Sequence, residues 1–345
     1  MSSDEDKELA LLEAEQAMEF GNVERTSSNY EAALVFYEQA VQIYRTYGVR
    51  SGEGEALSQS AGVFMVQGKL DEALQRYSRA LVIQREMGNQ RQEGETLGNI
   101  GITLRHKGEL DQAIAHYELA LEIHRNLGNV RYEGITLISL GETYRQLGRY
   151  PEATAHYEKA LDANKEYGNR RAQAVILNNL GLIAKAQGDL NTAINHFKSG
   201  LTITQEIGDV ENQGTTLGNI GDCFFDLGQL DQAQHFLELA ISICKEIEYL
   251  IAVGVFGGSL AHILASQGAI PQALELLAES EPLVARFPQE YGKFICRKGL
   301  VHHLAGQNEK ALASLAHARE IAGELKVQPS SELQTYITTL AKATQ

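Results

Sequence analysis

Three histidines, His116, His156 and His196, recur at one constant interval, and three cysteines, Cys223, Cys244 and Cys296, show no paired spacing. Imidazole and thiolate are the usual zinc ligands, and each must come within about 2 Å of the ion. Helices in contact lie roughly 8–10 Å apart, so one histidine per helical pair is too sparse a set to chelate a metal. The adjacent His302 and His303 point apart on a helix. The cysteines read as small buried hydrophobes of a reducing compartment, which predicts a cytoplasmic protein. The sequence contains no H-E-x-x-H, no Walker loop, no nucleophile elbow and no Cys-x-x-Cys. Gly98-x-x-Gly101 imitates part of a dinucleotide fingerprint, yet it falls within a predicted helix with no strand before it. No catalysis, cofactor or metal is expected.

Recognition chemistry is better represented. One register carries Gln59, Asn99, Ser139, Asn179, Asn219 and Ser259. An amide offers a donor and an acceptor together, so such a column could pair with the backbone of an extended peptide. The bland alternative is a set of polar side chains that keep a groove hydrated. Arg105, Arg145 and Lys185 form a second column, suited to carboxylates of a partner unless Glu142, Asp222 and Asp226 compensate it. The candidate partner-binding residues are Asn99, Ile102, Arg105, Ser139, Glu142, Arg145, Asn178, Asn179, Leu182, Lys185, Asn219 and Asp222.

The elements that must position these residues are visible as ladders. Gly88, Gly128, Gly168 and Gly208 are evenly spaced with the period of the histidines, and Gly68, Gly108, Gly148, Gly188 and Gly228 interleave with them. Further ladders run through Gly21, Gly101, Gly141, Gly181 and Gly221, with Ala61 and Ala261 filling the gaps, through Ala33, Ala73, Ala113, Ala153, Ala193 and Ala233, and through Tyr37, Tyr77, Tyr117, Tyr157 and Phe197. Leu97, Ile100, Gly101 and Leu104 lie at i, i+3, i+4 and i+7, the apolar face of one helix, and Ile114, Tyr117 and Leu121 continue the pattern in the next. The interleaved glycines close helices, and the small residues at 101 and 113 allow two antiparallel helices to cross closely. A hairpin of this kind cannot bury its apolar faces alone, so successive hairpins must stack.

Leu97, Ile100, Gly101, Leu104, Ala113, Tyr117 and Ala120 resemble the tetratricopeptide (TPR) pattern, in a form with a longer period like that of the Pins/LGN group, kinesin light chain and bacterial TPR regulators. The resemblance covers about residues 9 to 325. It implies an all-α, right-handed α-α superhelix of about eight helical hairpins, at approximately 5–47, 52–87, 92–127, 132–167, 172–207, 212–247, 252–287 and 290–325, within a single solenoid spanning 1–345. Pro282 should shorten or kink the second helix of the seventh hairpin. A capping helix is expected over 330–343, with Leu333, Ile337 and Leu340 on one face after Pro329. The resemblance also implies that first helices line a concave surface, where asparagines hold an extended ligand chain. The Lys and Asn set of the chaperone-binding class is missing.

The net charge of −15 opposes nucleic-acid binding, and no stretch reaches the length of a membrane span. The expected role is a scaffold or adaptor that binds an extended or helical segment of a partner protein. The alternative is a ligand- or peptide-responsive regulatory module acting on an effector, an arrangement that gains weight if the chain is part of a longer protein. Exposed ends of the stack would allow a homodimer.

Overall fold

The computed structural model describes residues 3–325, 327 and 331–345. Among the described residues it is all-α, with 17 helices and no strand. The chain divides into two compact units, Met1–Thr143 and Tyr144–Gln345, a division that falls within α7.

In the first unit, α1 (Ser3–Thr26) pairs with α2 (Tyr30–Thr46), α3 (Arg50–Val66) with α4 (Leu70–Glu86), and α5 (Gln90–Lys107) with α6 (Leu110–Asn126), before α7 (Val130–Gln146) begins. In the second unit, α8 (Tyr150–Tyr167) packs on α9 (Arg170–Ala186). The hairpins that follow pair α9 with α10 (Leu190–Ile207), α11 (Val210–Asp226) with α12 (Leu230–Glu246), and α13 (Leu250–Ser266) with α14 (Ile270–Val284). Next come α15 (Pro288–Leu304) with α16 (Asn308–Glu324), and then α17 (Glu332–Ala343), which packs on α15 and α16. Helix α14 contains Pro282 and is shorter than α13, as a missing N–H would dictate. Leu333, Ile337 and Leu340 of α17 are buried, covering the apolar side of α15 and α16. Pro329 and Ser330, expected at the start of this cap, lie outside the described residues.

Each hairpin closes over the same core elements. Tyr37, Tyr77, Tyr117, Tyr157 and Phe197 are at most 2% exposed, and the alanines one helical turn before them are fully buried. The aromatic ring of the second helix lies against the glycine of the first. A Cβ built on Gly101 would sit 2.6 Å from Tyr117 Cε1, and one on Gly181 would sit 2.5 Å from Phe197 Cε1. Close approach of ring and backbone is therefore what keeps this ladder to glycine and alanine. A different need governs the turn between helices: Gly108 has φ +85°, and the following Glu109 N–H donates to Leu104 O at 2.9 Å. Two turns meet the left-handed conformation without glycine, at Ser28 (φ 61°) and Glu248 (φ 55°).

The joints between hairpins use two chemistries. In the first unit an arginine at the end of a second helix reaches a glutamate in the first turn of the next helix. These pairs are Arg45 Nε–Glu53 Oε1 at 2.9 Å, Arg85 Nε–Glu93 Oε1 at 2.7 Å and Arg125 Nε–Glu133 Oε1 at 2.9 Å. In the second unit glutamine stands in the glutamate register. Gln173 Nε2 donates to Asn164 O and Gln213 Nε2 to Thr204 O, both at 3.0 Å, satisfying carbonyls left open at helix C-termini.

Candidate partner-binding faces

In the first unit, α3 and α5 are first helices of successive hairpins, and Ser58 Oγ lies 3.5 Å from Thr96 Oγ1 between them. Gln59 and Asn99 are half-buried on these helices. A cavity of about 350 Å³ opens there, lined by Glu55 and Gln59 of α3, Tyr77 and Gln84 of α4, Glu95 and Asn99 of α5, and their neighbours. Gln84 is only 3% exposed; its Nε2 donates weakly to Ser58 Oγ at 3.4 Å, and its Oε1 has no partner among the described residues. Ile102 and Arg105 are half-buried further along α5, with Arg105 Nη2 3.4 Å from Glu142 Oε2. Ser139 is buried, and its hydroxyl donates back to Ile135 O at 3.2 Å.

In the second unit, Asn219 Nδ2 on α11 donates to Asn178 Oδ1 on α9 at 3.1 Å, so the two amides join successive first helices. Both are half-buried, whereas Asn179 in the original column is 8% exposed. The amide that reaches its neighbour is thus one residue away from the one in strict register. Leu182 is half-buried, and Arg145, with its Nε buried and unpartnered among the described residues, stands on the last turn of α7.

Lys185 and Asp222 belong to an ion network. Lys185 Nζ is 3.5 Å from Asp222 Oδ2 and 3.8 Å from Asp226 Oδ2. Arg297 of α15 extends past α13 to the same Asp222 oxygen at 3.0 Å. It also donates to Tyr336 Oη of α17 at 2.7 Å, with its guanidinium 4.9 Å from the centre of that ring. The space it crosses is made by small residues: a Cβ on Gly258 would be 2.8 Å from Phe294 and 3.8 Å from Arg297 Cδ. Burial pushes the Asp222 carboxyl upward, but Lys185 and Arg297 outweigh it and hold the group below its ordinary range. His262, 4.8 Å from the Phe225 ring, is driven down to about 4 by burial and by the Arg297 charge.

Three residues of these candidate faces, Gln84, Arg297 and Tyr336, escape the sequence reading. Arg297 and Tyr336 continue the column of Asn219 and Ser259 at slightly shortened spacings, so a repeat allowed to vary by a residue or two would have reached them. Gln84 carries no such signal, being a second-helix residue inside an amphipathic pattern. The histidine column lies on second helices, where His116 Nδ1 is 2.9 Å from Gln112 O and His156 stacks on Tyr144 at 5.2 Å. Among the described residues no group of three His, Cys, Asp or Glu could hold a metal ion, and no helix is long and apolar enough to cross a membrane.

Comparison with known proteins places this architecture. The sequence matches the tetratricopeptide repeat family over residues 52–126, 92–166, 132–206 and 172–246, more than half of the chain. The chain belongs to that family. No curated protein sequence matches it. Among solved structures it is similar to aspartyl phosphate phosphatase F from Bacillus subtilis, at 14% identity and TM-score 0.68, covering 83% of this chain and 75% of that one. It is also similar to the quorum sensor NprR from B. thuringiensis, at 17% identity and TM-score 0.58, covering 96% and 87%. A third similarity is to a signal-transduction ATPase with a tetratricopeptide repeat sensor from Pyrococcus horikoshii, at 17% identity and TM-score 0.68, covering 79% of this chain and 42% of that one. At these identities the likeness concerns the fold: an all-α solenoid of helical hairpins.

Proposed function

We propose that the protein is an interaction scaffold whose first-helix faces hold an extended segment of a partner protein, without chemistry of its own. The observation that carries this reading is the Asn219–Asn178 amide pair at 3.1 Å. One N–H and one carbonyl are used between the two amides, which leaves further donors and acceptors on a half-buried face for the backbone of a peptide. The basic column contributes little to attracting an acidic segment, because Arg105 and Lys185 have carboxylate partners within the protein. The thiols of Cys223, Cys244 and Cys296 are buried and pushed up by burial to about 12, 11 and 12, which suits a reducing, cytoplasmic setting.

The test is selection of peptides from a random displayed library on the intact chain, followed by titration against the Asn178→Ala/Asn219→Ala variant. The expected result is enriched peptides whose affinity falls about tenfold in the variant, equivalent to roughly 1.4 kcal/mol, with the helical circular-dichroism spectrum retained. Equal affinity for both proteins would remove the amide clamp from the reading. A regulatory module is the second reading, favoured by the likeness to a quorum sensor and to a repeat-type sensor. It requires the small-angle scattering profile to change when a selected peptide binds.

A further inference from the structure

The two units treat their polar first-helix residues differently. In the second unit Asp222 is shared by Lys185 and Arg297, so its charge is met from within. In the first unit the cavity between α3 and α5 has a buried acceptor, Gln84 Oε1, that no donor among the described residues meets. A buried acceptor without a donor has lost its water and gained nothing in return, a loss that a ligand N–H can recover. Two carboxylates, Glu55 and Glu95, line the same cavity. Glu55 is exposed and makes no ion pair among the described residues, while the cation paired with Glu95 is Arg91, itself 70% exposed, at 3.2 Å. Among the described residues that line the cavity, Arg25 faces the two carboxylates Glu55 and Glu95, a formal charge of −1 on the lining itself. The wider field agrees: residues 1–143 hold 13 Lys and Arg against 23 Asp and Glu, so −10 of the chain's −15 resides there.

The way in is also built. At Gly62, which lines the cavity, an added Cβ would meet the Tyr77 hydroxyl at 3.6 Å, so the missing side chain leaves room beside that hydroxyl. With Gln59 and Asn99 on its two flanking helices, the cavity has amides for a backbone on either side of a carboxylate-lined hole. We propose that this cavity is a subsite for a cationic side chain, lysine or arginine, of the segment that the protein binds. The donor groups of the ammonium or guanidinium meet Gln84 Oε1 and the Glu55 and Glu95 carboxylates. This rests on the scaffold reading above and adds to it the chemistry of the partner: a basic segment.

The experiment uses the full chain and fluorescein-labelled decapeptides of alanine, glycine and serine with one central Lys, Arg, Gln or Glu, and measures anisotropy. N-acetyl-lysine methylamide serves as a small cationic competitor. The Lys and Arg peptides are expected to bind at least tenfold more tightly than the Gln and Glu peptides. The competitor should displace them, and the preference should vanish in Glu55→Gln/Glu95→Gln and in Gly62→Leu. The second variant fills the cavity without touching a charge, and its folding is checked by circular dichroism. Equal binding of Lys and Gln peptides, or a preference that survives both variants, overturns the subsite. If neutral peptides still bind and lose affinity in Asn178→Ala/Asn219→Ala, the scaffold reading survives that failure. Binding of the lysine amide with loss in Gly62→Leu, but of none of the peptides, keeps the cationic subsite and removes the segment-holding role.

Discussion

Gly98 and Gly101 lie one turn apart on α5 and should respond to added bulk in opposite directions. A Cβ at Gly98 has nothing within 4 Å, whereas one at Gly101 lies 2.6 and 2.7 Å from Cε1 and Cδ1 of the Tyr117 ring. Tyr117 is 1% exposed, so the ring has no open space to move into. Replacing a mid-helix glycine by alanine gains up to about 1 kcal/mol in helix propensity, and Gly98→Ala should keep most of it. Gly101→Leu gains a similar amount from propensity, but drives three further carbons into a filled crossing. Overpacking of that kind costs about 1–3 kcal/mol, so the net loss should be up to about 2 kcal/mol. Gly101→Ala falls between the two, since Ala61 occupies the equivalent place beside Tyr77 and both are buried. Urea unfolding followed by far-UV circular dichroism gives the order directly. Repeat arrays need not unfold in a single step, so midpoints of the curves should be compared. A Gly101→Leu protein as stable as wild type would show that the ring does not set the crossing distance. A Gly98→Ala protein destabilised as much as Gly101→Leu would show that the register of α5 is wrong.

Glu248 holds φ 55° in a turn where most other hairpins place glycine, and Glu248→Gly should stabilise the protein by about 1 kcal/mol, read as a higher urea midpoint. His262 gives a pH signature: the unfolded imidazole takes up its proton near 6.5, whereas the folded one does so only near 4, so stability is lost as pH falls through that window. The loss should reach roughly 2–3 kcal/mol by pH 4 and should be absent from the same comparison made on His262→Gln. Equal pH dependence in the two proteins would refute the assignment.

The helical hairpins were legible because each ladder answers to one steric demand. Gly101, Ala113 and Tyr117 meet at one crossing, and their common spacing is the imprint of that contact on the chain. The polar column of the candidate face was legible only in part. Asn99 and Asn219 stand half-buried as the register predicts, but in the hairpin between residues 170 and 207 it is Asn178, not Asn179, that reaches its neighbour. A one-residue step turns a side chain by about 100° around a helix, and periodicity alone does not resolve two adjacent asparagines. The basic column was legible as residues and not as chemistry. The pairing of Lys185 depends on Asp222, one hairpin further along, and on Arg297, which arrives at the same carboxylate from α15. The unmet Gln84 acceptor is a property of what surrounds it, and no pattern in the chain records that.

The change in joint chemistry has a mechanical consequence. Salt screens the Arg45–Glu53, Arg85–Glu93 and Arg125–Glu133 links, because each arginine is in contact with water, and it barely touches the amide-to-carbonyl links of Gln173 and Gln213. Brine should therefore loosen those three arginine joints more than the two glutamine joints. Within residues 144–345 the Gln173 and Gln213 links then keep their hold in brine, while pairs with an exposed arginine such as Arg171–Asp209 slacken with the arginine links.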